Sequence, residues 1–209
     1  MKEIDIDVWT RKEHFAFFRS MAYPIYNICF DLDVTRARDF SKENTLSFNL
    51  VMIHVSMSSL NGIDNFKYRL RGEKVILHDS LTPSYADIQK GSDLFKMITV
   101  PFDKEISSFV SKAEEKARQQ QSYFVISELA GRDDFVFFSA LPWITFTGLD
   151  HTINLKGEDA IPRISWGKYY EKEGRILLPY NIQVNHMFVD GFHLGLLKER
   201  LDHTIAGLG

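Results

Sequence analysis

The sequence has very little cysteine, little net charge and no long apolar run. Cys29 is the only cysteine among 209 residues, which excludes an intrachain disulfide and a thiolate-rich metal site and is compatible with a reducing cytoplasm. No stretch approaches transmembrane length, and Met1 to Asp7 contain no apolar signal-peptide core. The formal charge of -3 gives no electrostatic reason to expect a nucleic-acid or anionic-membrane partner. We therefore expect a soluble, cytoplasmic protein with neither kind of partner.

Several enzyme motifs are also missing. The sequence has no G-x-G-x-x-G, no phosphate-binding loop and no G-x-S-x-G, so dehydrogenase, nucleotide hydrolase and serine hydrolase hypotheses lose their usual support. What is present is typical of a globular protein, with 44% hydrophobic and 25% charged residues. The length fits one domain, which we expect to cover residues 1–209.

Apolar periodicity predicts four helices. Thr10 to Glu13 has the pattern of a capping box and predicts a helix that carries Phe15, Phe18 and Met21 and ends before Pro24. The other three are predicted from Leu46 to Leu60, stopped by Asn61-Gly62, from Ile106 to Ala117, and from Leu194 to Ile205. His54 lies among apolar neighbours in the second helix, where a satisfied core histidine is favoured over a ligand.

Alternation and turn residues predict the strands. They are expected at Ile4 to Val8, Ile25 to Val34, Lys67 to Leu70, Lys74 to His78, Leu94 to Phe102, Phe135 to Ser139, Ile144 to Phe146, Pro162 to Tyr170 and Arg175 to Val184. Leu81 to Asp93 is rich in turn formers and is expected to be loop, and Pro142 is expected to mark a kink between two strands. Hairpins interrupted by long helices predict an α+β fold, a two-layer sandwich with a mixed, mostly antiparallel sheet.

His186 is the first candidate functional residue, because it follows a predicted strand directly and precedes Asp190-Gly191. Imidazole titrates near neutrality, so a histidine held at a strand end can take a proton from an alcohol or a thiol. In the alternative interpretation, Asp190 only caps the following helix and His186 is an ordinary turn residue. The short H-x-x-x-D-G pattern does not decide between the two.

Four separated stretches carry a joint pattern: they are Trp9 to Phe15, Ser139 to Trp143, Gly167 to Tyr170, and Gln183 to His193. Together they resemble the chloramphenicol acetyltransferase family, and their order and the chain length match that family nearly end to end. The H-x-x-x-D-G element also occurs in dihydrolipoyl acyltransferases and in peptide-synthesis condensation domains, which do not share the N-terminal motif.

The resemblance implies a homotrimer that transfers acetyl from acetyl-CoA directly to an acceptor hydroxyl, with active sites at the subunit interfaces and no metal. His186 matches the general base and Ser139 matches the hydroxyl that donates to the oxyanion. Asp190 and Arg11 match a buried ion pair that supports the histidine loop. A hydrolase-like alternative, in which the aspartate orients the imidazole directly, stays open at this stage.

The resemblance also implies a pocket for acceptor or CoA that includes Phe18, Phe95, Arg163, Ser165 and Lys168. Ser165 stands where the family has a threonine near the reacting carbonyl, and both residues carry a hydroxyl that a water-bridged contact could use. Phe18 replaces a common tyrosine, and Arg163 occupies a position that is apolar in the family. Such an arginine is paired, turned to solvent, or facing an anionic acceptor. The resemblance further implies that the acceptor pocket, including residues near Phe18 and Phe95, belongs largely to the neighbour of the subunit that provides His186.

Three functions follow from these observations. The first is acetyl transfer to a hydroxyl of a small acceptor, with chloramphenicol as the leading candidate. The second is acetylation of a different small hydroxyl or thiol compound, and the third is binding of a small molecule without catalysis. Retention of His186, Ser139, Asp190 and Arg11 together argues against the third, because a protein without activity has no catalytic need for His186 and Ser139. Asn185, which replaces the first of two adjacent histidines in the family, has no assigned role.

Overall fold

The computed structural model describes residues 1–89, 91–154 and 159–209. Helices span Lys12–Arg19 (α1), Thr35–Glu43 (α2), Phe48–Asn61 (α3), Ile106–Gln119 (α4), Ile126–Leu129 (α5) and Gly191–Ala206 (α6), with a 3-10 helix at Asp64–Phe66. Strands span Lys2–Ile4 (β1), Ile25–Asp33 (β2), Tyr68–Arg71 (β3), Lys74–Leu77 (β4), Thr82–Ile88 (β5), Phe95–Thr99 (β6), Phe135–Leu141 (β7), Arg163–Gly167 (β8), Tyr170–Lys172 (β9) and Arg175–Asn185 (β10).

Two sheets form from these strands. The larger has the order β2-β10-β8-β7-β5-β6, with β9 paired to β10, and the smaller has the order β1-β4-β3. In the larger sheet, β7 pairs in parallel with both β5 and β8, and the other pairs are antiparallel. The predicted α+β fold with a mixed, mostly antiparallel sheet is therefore confirmed.

Strand β10 shows how the sheet separates the core from the site. Tyr180, Ile182 and Val184 face the helical layer, where the Tyr180 hydroxyl donates to Ser56 Oγ on α3 at 3.1 Å. Asn181 and Gln183 point to the opposite face and are also buried. Because successive side chains of a strand alternate between faces, one face builds the apolar core while the other holds buried polar groups that need partners.

Helix α3 is the centre of the helical layer. It is buried almost all round, as expected for a helix covered by neighbours on every side, and it contacts α2, α4 and α6. His54 on this helix is only half satisfied, since Nε2 lies 3.1 Å from the Lys104 carbonyl oxygen while Nδ1 is buried and has no hydrogen-bond partner among the residues that the structure describes. Burial lowers the pKa of His54, so the uncharged imidazole is the form that the core accommodates.

The N-terminal segment differs from its prediction in two respects. Helix α1 begins at Lys12 without a side-chain cap, so the predicted capping box at Thr10 is wrong. The helix ends at Arg19, before Met21. At the next residue, the Ser20 hydroxyl donates a hydrogen bond to the Phe17 carbonyl at 2.7 Å, a local side-chain bond of the kind that competes with helical hydrogen bonds. Strand β1 ends at Ile4, where its pairing with β4 stops, and does not continue to Val8.

The expected loop from Leu81 to Asp93 is a second error, because Thr82–Ile88 forms the strand β5. Pairing on both sides, with β6 and β7, overrides the local turn propensity of Pro83 and Ser84. Pro83 lies one residue before the first β5–β6 partner pair, Ser84 and Thr99, and proline is tolerated at such a position because its missing N–H interrupts no ladder.

The predicted strand from Ile144 to Phe146 is not formed. Strand β7 continues through Ser139 to Leu141, and a turn follows at Pro142 and Trp143, where the kink was expected. Ile144 instead approaches the end of β8, where its carbonyl accepts a bond from the Lys168 N–H at 2.7 Å. A Cβ added at Gly167 would lie 2.8 Å from this carbonyl oxygen, so the close approach requires glycine.

Candidate active site

His186 lies on the turn between β10 and α6. Its backbone N–H donates to the Pro24 carbonyl at 2.8 Å, which links the turn to the residue that precedes β2. Asn185 stabilises the same turn, because its side-chain oxygen accepts from the Met187 N–H at 2.9 Å and its amide nitrogen donates to the Asp159 carbonyl at 3.0 Å. Asn185 therefore shapes the turn that presents the histidine.

The imidazole of His186 lies between two aromatic rings of the same chain. Phe18 stacks on it with ring centroids 3.8 Å apart and an angle of 8° between planes, and Tyr26 lies at 4.5 Å on a tilted plane. The Tyr26 hydroxyl donates to the Val189 carbonyl at 3.2 Å, and burial raises the pKa of Tyr26 to about 12, so the phenol stays protonated. The expectation that the pocket near Phe18 belongs largely to the neighbour of the histidine's subunit is wrong for Phe18 itself: Phe18 and His186 stack within one chain.

Asp190 forms a two-pronged ion pair with Arg11. The two guanidinium nitrogens donate to its carboxylate at 2.5 and 2.6 Å, and Arg11 also donates to the carbonyls of Met187 at 2.8 Å and His186 at 3.1 Å. These bonds hold the pKa of Asp190 below its usual range. The side chain of Arg11 is only 11% exposed, so water competes little for these contacts.

The hydrolase-like alternative for Asp190 receives less support. Its Oδ1 lies 3.1 Å from Nδ1 of His186, but the atoms are not aligned for a hydrogen bond, and Nδ1 has no partner within the described part of the chain. Asp190 does occupy the N-cap position of α6, where Nδ1 of His193 accepts from the Asp190 N–H at 2.9 Å. The carboxylate thus fixes the loop through Arg11 and not the ring through Nδ1.

Ser139 is on β7 and lines a cleft of about 1140 Å³, whose lining does not include His186. The parallel register of β7 and β8 puts Ser139 beside Ser165, so the two hydroxyls share one face of the sheet. Within the described residues Ser139 Oγ makes no hydrogen bond, which leaves it available to a ligand. The cleft brings together four of the sequence-predicted residues, Ser139, Phe95, Arg163 and Lys168, while His186 and Phe18 are not part of its lining.

Arg163 is paired, which decides among the three possibilities for it. It forms an ion pair with Asp159 at 2.5 Å, and both side chains are nearly buried. The guanidinium also donates to the Ile161 carbonyl at 3.0 Å and lies 5.7 Å from the centre of the Phe137 ring. Phe95 and Lys168 are exposed.

A segment that crosses the polar face of the sheet adds a residue that the sequence did not indicate. Asn181 exchanges two hydrogen bonds with the backbone of Leu149, at 3.2 and 3.0 Å, and Gln183 does the same with His151, at 2.7 and 3.4 Å. These amide pairs place His151 over β8, where its Nε2 lies 2.5 Å from Ser165 Oγ. His151 also lines the cleft. The only signal in the sequence was the polar residues that alternate along β10, whose burial could not be foreseen.

His186 and Ser139 are far apart within one chain. Asn181 opposes Ser165, which in turn neighbours Ser139, so Ser139 lies two strands away from β10. His186 follows the last residue of β10 and is five residues after Asn181, which corresponds to about 16 Å in the strand direction, and Ser139 is about 10 Å away across the strands. A proton acceptor must lie within hydrogen-bonding reach of the reacting group, so these two residues cannot act on one substrate within a single chain.

Comparison with known proteins decides the family. A family model described as chloramphenicol acetyltransferase matches residues 1–202. This chain belongs to the chloramphenicol acetyltransferase family. A chloramphenicol acetyltransferase of a Klebsiella species is 28% identical over 201 residues, which cover 95% of this chain and 90% of that protein. Chloramphenicol acetyltransferase 2 of Haemophilus influenzae is 28% identical over 193 residues, covering 91% and 90%.

One solved structure agrees with this family assignment, and a second shares the fold. A chloramphenicol acetyltransferase superposes with a TM-score of 0.90 at 26% identity, covering 98% of this chain and all of that chain. A dihydrolipoamide acetyltransferase of Azotobacter vinelandii, at 14% identity, covers 93% of this chain and 86% of its own with a TM-score of 0.67, which shows a shared fold alone.

The family assignment is accompanied by two observations on the described residues. Across residues 1–89, 91–154 and 159–209, no group of three or more His, Cys, Asp or Glu side chains could hold a metal ion. No helix in these same ranges is long and apolar enough to cross a membrane.

Proposed function

We propose that this chain is an acetyl-CoA-dependent O-acetyltransferase, with chloramphenicol as the leading candidate acceptor and residues 1–209 acting as one catalytic domain. The observation that carries the proposal is the placement of His186, held between Phe18 and Tyr26 on a turn that Arg11 ties to Asp190, in a chain that matches chloramphenicol acetyltransferases over 95% of its length.

The chemistry assigns one task to each of two side chains. His186 takes the proton of the acceptor hydroxyl while that oxygen attacks the thioester carbonyl. Ser139 donates a hydrogen bond to the carbonyl oxygen as it becomes negative. The carbon–sulfur bond then breaks, and the departing thiolate receives the proton from His186. No covalent acetyl-enzyme is formed, and each group starts the next cycle in its original protonation state.

The cleft has room for both substrates. Its volume of about 1140 Å³ exceeds that of most pockets for a single small molecule. Lys168 is exposed at this cleft and is suited to a phosphate of CoA, and Ser139 is suited to the reacting carbonyl. Acceptor and thioester would therefore meet beside Ser139.

We further propose that the active enzyme is a homotrimer in which His186 of one subunit completes the cleft of its neighbour. The separation of His186 and Ser139 within one chain supports this. Two exposed apolar surfaces also support it: Phe17, Met21 and Tyr23 lie on the chain segment next to Phe18, and Trp143 and Ile144 lie beside the cleft. Contact between two different surfaces is heterologous, and repetition of such a contact closes a ring when the rotation between subunits allows it, as a threefold rotation does.

Acetylation of chloramphenicol would make the protein an antibiotic-resistance enzyme, and its single cysteine favours a cytoplasmic location. Purified protein is incubated with acetyl-CoA and a panel of hydroxyl and thiol compounds that includes chloramphenicol, and release of free thiol is followed. We expect turnover with chloramphenicol or another hydroxyl compound. Binding of acceptors without any turnover would instead support the non-catalytic hypothesis.

His186→Ala tests the assigned base in the same assay. We expect turnover to fall by at least about a hundredfold with the fold intact. His203→Ala, which removes an exposed imidazole from α6, is the matched control and should have wild-type turnover. Near-normal turnover of pure His186→Ala protein would contradict the assignment.

A further inference from the structure

The backbone of the turn that carries His186 is hydrogen-bonded at every residue from 186 to 189. The four N–H groups donate to the Pro24 carbonyl, to the Asn185 side chain and to the Asn185 carbonyl. The four carbonyls accept hydrogen bonds from side chains of three other parts of the chain: Arg11, Asn65 and Tyr26. Because a buried backbone group without a partner is costly, this complete set of bonds gives the turn one defined conformation.

The N–H of Asp190, at the end of this turn, differs from the others because its acceptor is a titratable side chain. It donates to Nδ1 of His193 at 2.9 Å, and the His193 N–H returns a bond to the Asp190 carbonyl at 3.0 Å. The two residues occupy the N-cap and N3 positions of α6, where glutamate or glutamine more often supplies the side-chain acceptor. A single proton on the imidazole is therefore enough to remove this bond.

The contact defines the protonation state of His193. A backbone N–H can only donate, so Nδ1 holds a lone pair and the proton of the ring is on Nε2. The side chain is only 15% exposed, and burial lowers the pKa of His193. The charge of Arg11 lowers this pKa further, and the carboxylate of Asp190 opposes both effects. A charged ring has two donors and no acceptor, so His193 can hold the turn only as the neutral imidazole.

Asp190 connects His193 to the proposed base through Arg11. Its carboxylate accepts two hydrogen bonds from the Arg11 guanidinium, which also donates to the carbonyls of His186 and Met187. The direction of the carboxylate depends on the backbone of Asp190, and the bond to His193 fixes that backbone. Loss of this bond would therefore disturb the turn at the residue on which the contacts of Arg11 depend.

We propose that His193 is a positioning residue for the base: as a neutral imidazole it holds the backbone of Asp190, and through Arg11 it fixes the turn that presents His186. This inference rests on the proposed function and adds a residue to its machinery. His193 does not line the cleft of its own chain, so its effect on the reaction is indirect. The placement of a general base matters mainly in the chemical step, and His193 should therefore influence kcat more than KM.

Steady-state kinetics with acetyl-CoA and chloramphenicol test this role. His193→Leu removes the acceptor, and we expect kcat to fall by about tenfold while KM for chloramphenicol stays within about twofold of wild type. His193→Gln keeps a side-chain oxygen that can accept the Asp190 N–H, and should retain kcat within about threefold of wild type. His203→Leu makes the same chemical change at an exposed position of α6 and should alter neither constant. A wild-type kcat in His193→Leu, or equal losses in the leucine and glutamine variants, would overturn the inference.

A double variant shows whether the effect passes through Arg11. If it does, Arg11→Ala already releases the turn, and adding His193→Leu should lower kcat by less than about threefold more. Independent effects multiply, so a further fall of about tenfold in the double variant would contradict the proposed path.

Hydrogen–deuterium exchange gives a measurement that does not depend on catalysis. A peptide covering residues 185–192 should exchange about fivefold faster in His193→Leu than in wild type or His193→Gln, because a capping bond is lost. A peptide from α3 should exchange equally in all three, which also shows that the variants are folded. If no acceptor is acetylated but this difference is found, the role of His193 in the turn is supported and the proposed function fails. If wild type and His193→Leu have equal turnover and equal exchange, the proposed function stands and the inference fails.

Discussion

The ring of His186 lies flat against the ring of Phe18, with centroids 3.8 Å apart and planes 8° from parallel. Nδ1 of the same imidazole is buried and lacks a hydrogen-bond partner among the described residues. The orientation of the imidazole is therefore set by packing between aromatic rings and by the backbone of its turn. In enzymes of the serine hydrolase type, a hydrogen-bonded carboxylate sets it instead.

Phe18 should consequently affect the chemical step. Phe18→Leu keeps an apolar side chain but loses the flat surface, and an aromatic contact worth about 1 kcal/mol corresponds to a decrease in kcat of roughly fivefold. Phe18→Tyr keeps the ring and is the matched control, with kcat expected within about twofold of wild type. Steady-state kinetics with the acceptor varied make the measurement. Equal kcat values for the leucine and tyrosine variants would contradict this role.

Ser139→Ala tests the oxyanion donor. We expect kcat to fall by about a hundredfold with a much smaller change in KM, because such a donor contributes mainly in the transition state. Ser111→Ala, at an exposed position of α4, removes a serine hydroxyl away from the cleft and should not alter kcat. An unchanged kcat in Ser139→Ala would mean that this serine has only a local structural role.

Arg11→Ala should destabilise the protein more than loss of a surface ion pair does. Removal of this guanidinium deprives the Asp190 carboxylate of its bidentate partner and two carbonyls of the bonds that Arg11 donates, which we expect to cost about 2–3 kcal/mol of unfolding free energy. Lys74→Ala breaks an exposed pair with Glu3 and should cost less than about 1 kcal/mol. Urea unfolding of both variants gives the comparison. Similar losses would show that burial does not strengthen the Arg11 contacts.

The contribution of the same ion pair has a defined dependence on pH. Arg11 lowers the pKa of Asp190 in the folded protein, so the stabilisation is present above the ordinary aspartate value of 3.8 and is lost as pH falls through the lowered folded value. The difference in unfolding free energy between wild type and Arg11→Ala should therefore be constant from pH 7 to about 5 and shrink below about pH 4. A difference that does not change down to pH 3 would argue against ionised Asp190 as the partner.

Mixed trimers test whether one subunit completes the site of another. His186→Ala and Ser139→Ala proteins, each inactive, are mixed in equal amounts, dissociated in denaturant and reassembled. With random assembly, about a quarter of the interfaces combine an intact histidine with an intact serine, so about a quarter of wild-type activity should return. Each variant reassembled alone is the control. Absence of activity in mixtures whose composition mass spectrometry has verified, or a fully active monomer in light scattering, would refute the shared site.

The sequence predicted those parts of the fold that depend on local pattern. Helix α3 and the hairpin of β3 and β4 were foreseen because apolar spacing and the turn at Gly72 are visible in a short stretch. Strand β5 was missed because its turn-forming residues are held extended by β6 and β7, and β7 is about fifty residues further along the chain. Helix α2, which has few apolar residues, was not predicted at all.

The residues of the candidate site also fall into two groups, those that a local motif indicates and those whose position depends on distant parts of the chain. His186, Ser139, Arg11 and Asp190 were identified through motifs, and the structure shows which of them meet. The pairing of Arg163 could not be foreseen because it depends on the path of the chain from Asp159. His151 was missed for a related reason: it reaches Ser165 only because Asn181 and Gln183 hold an irregular segment against the sheet, and such a segment has no periodicity to detect.

The amides of Asn181 and Gln183 recognise only main-chain atoms at positions 149 and 151. The backbone at these positions is therefore held by β10, and the side chain of His151 adds one further contact, to Ser165 Oγ on β8. The fold thus fixes the path of this irregular segment largely through main-chain contacts, which do not depend on the identity of the side chains at positions 149 and 151. A substitution at position 151 is therefore expected to change the side chain at the cleft while the two amide contacts of Gln183 with the backbone are kept.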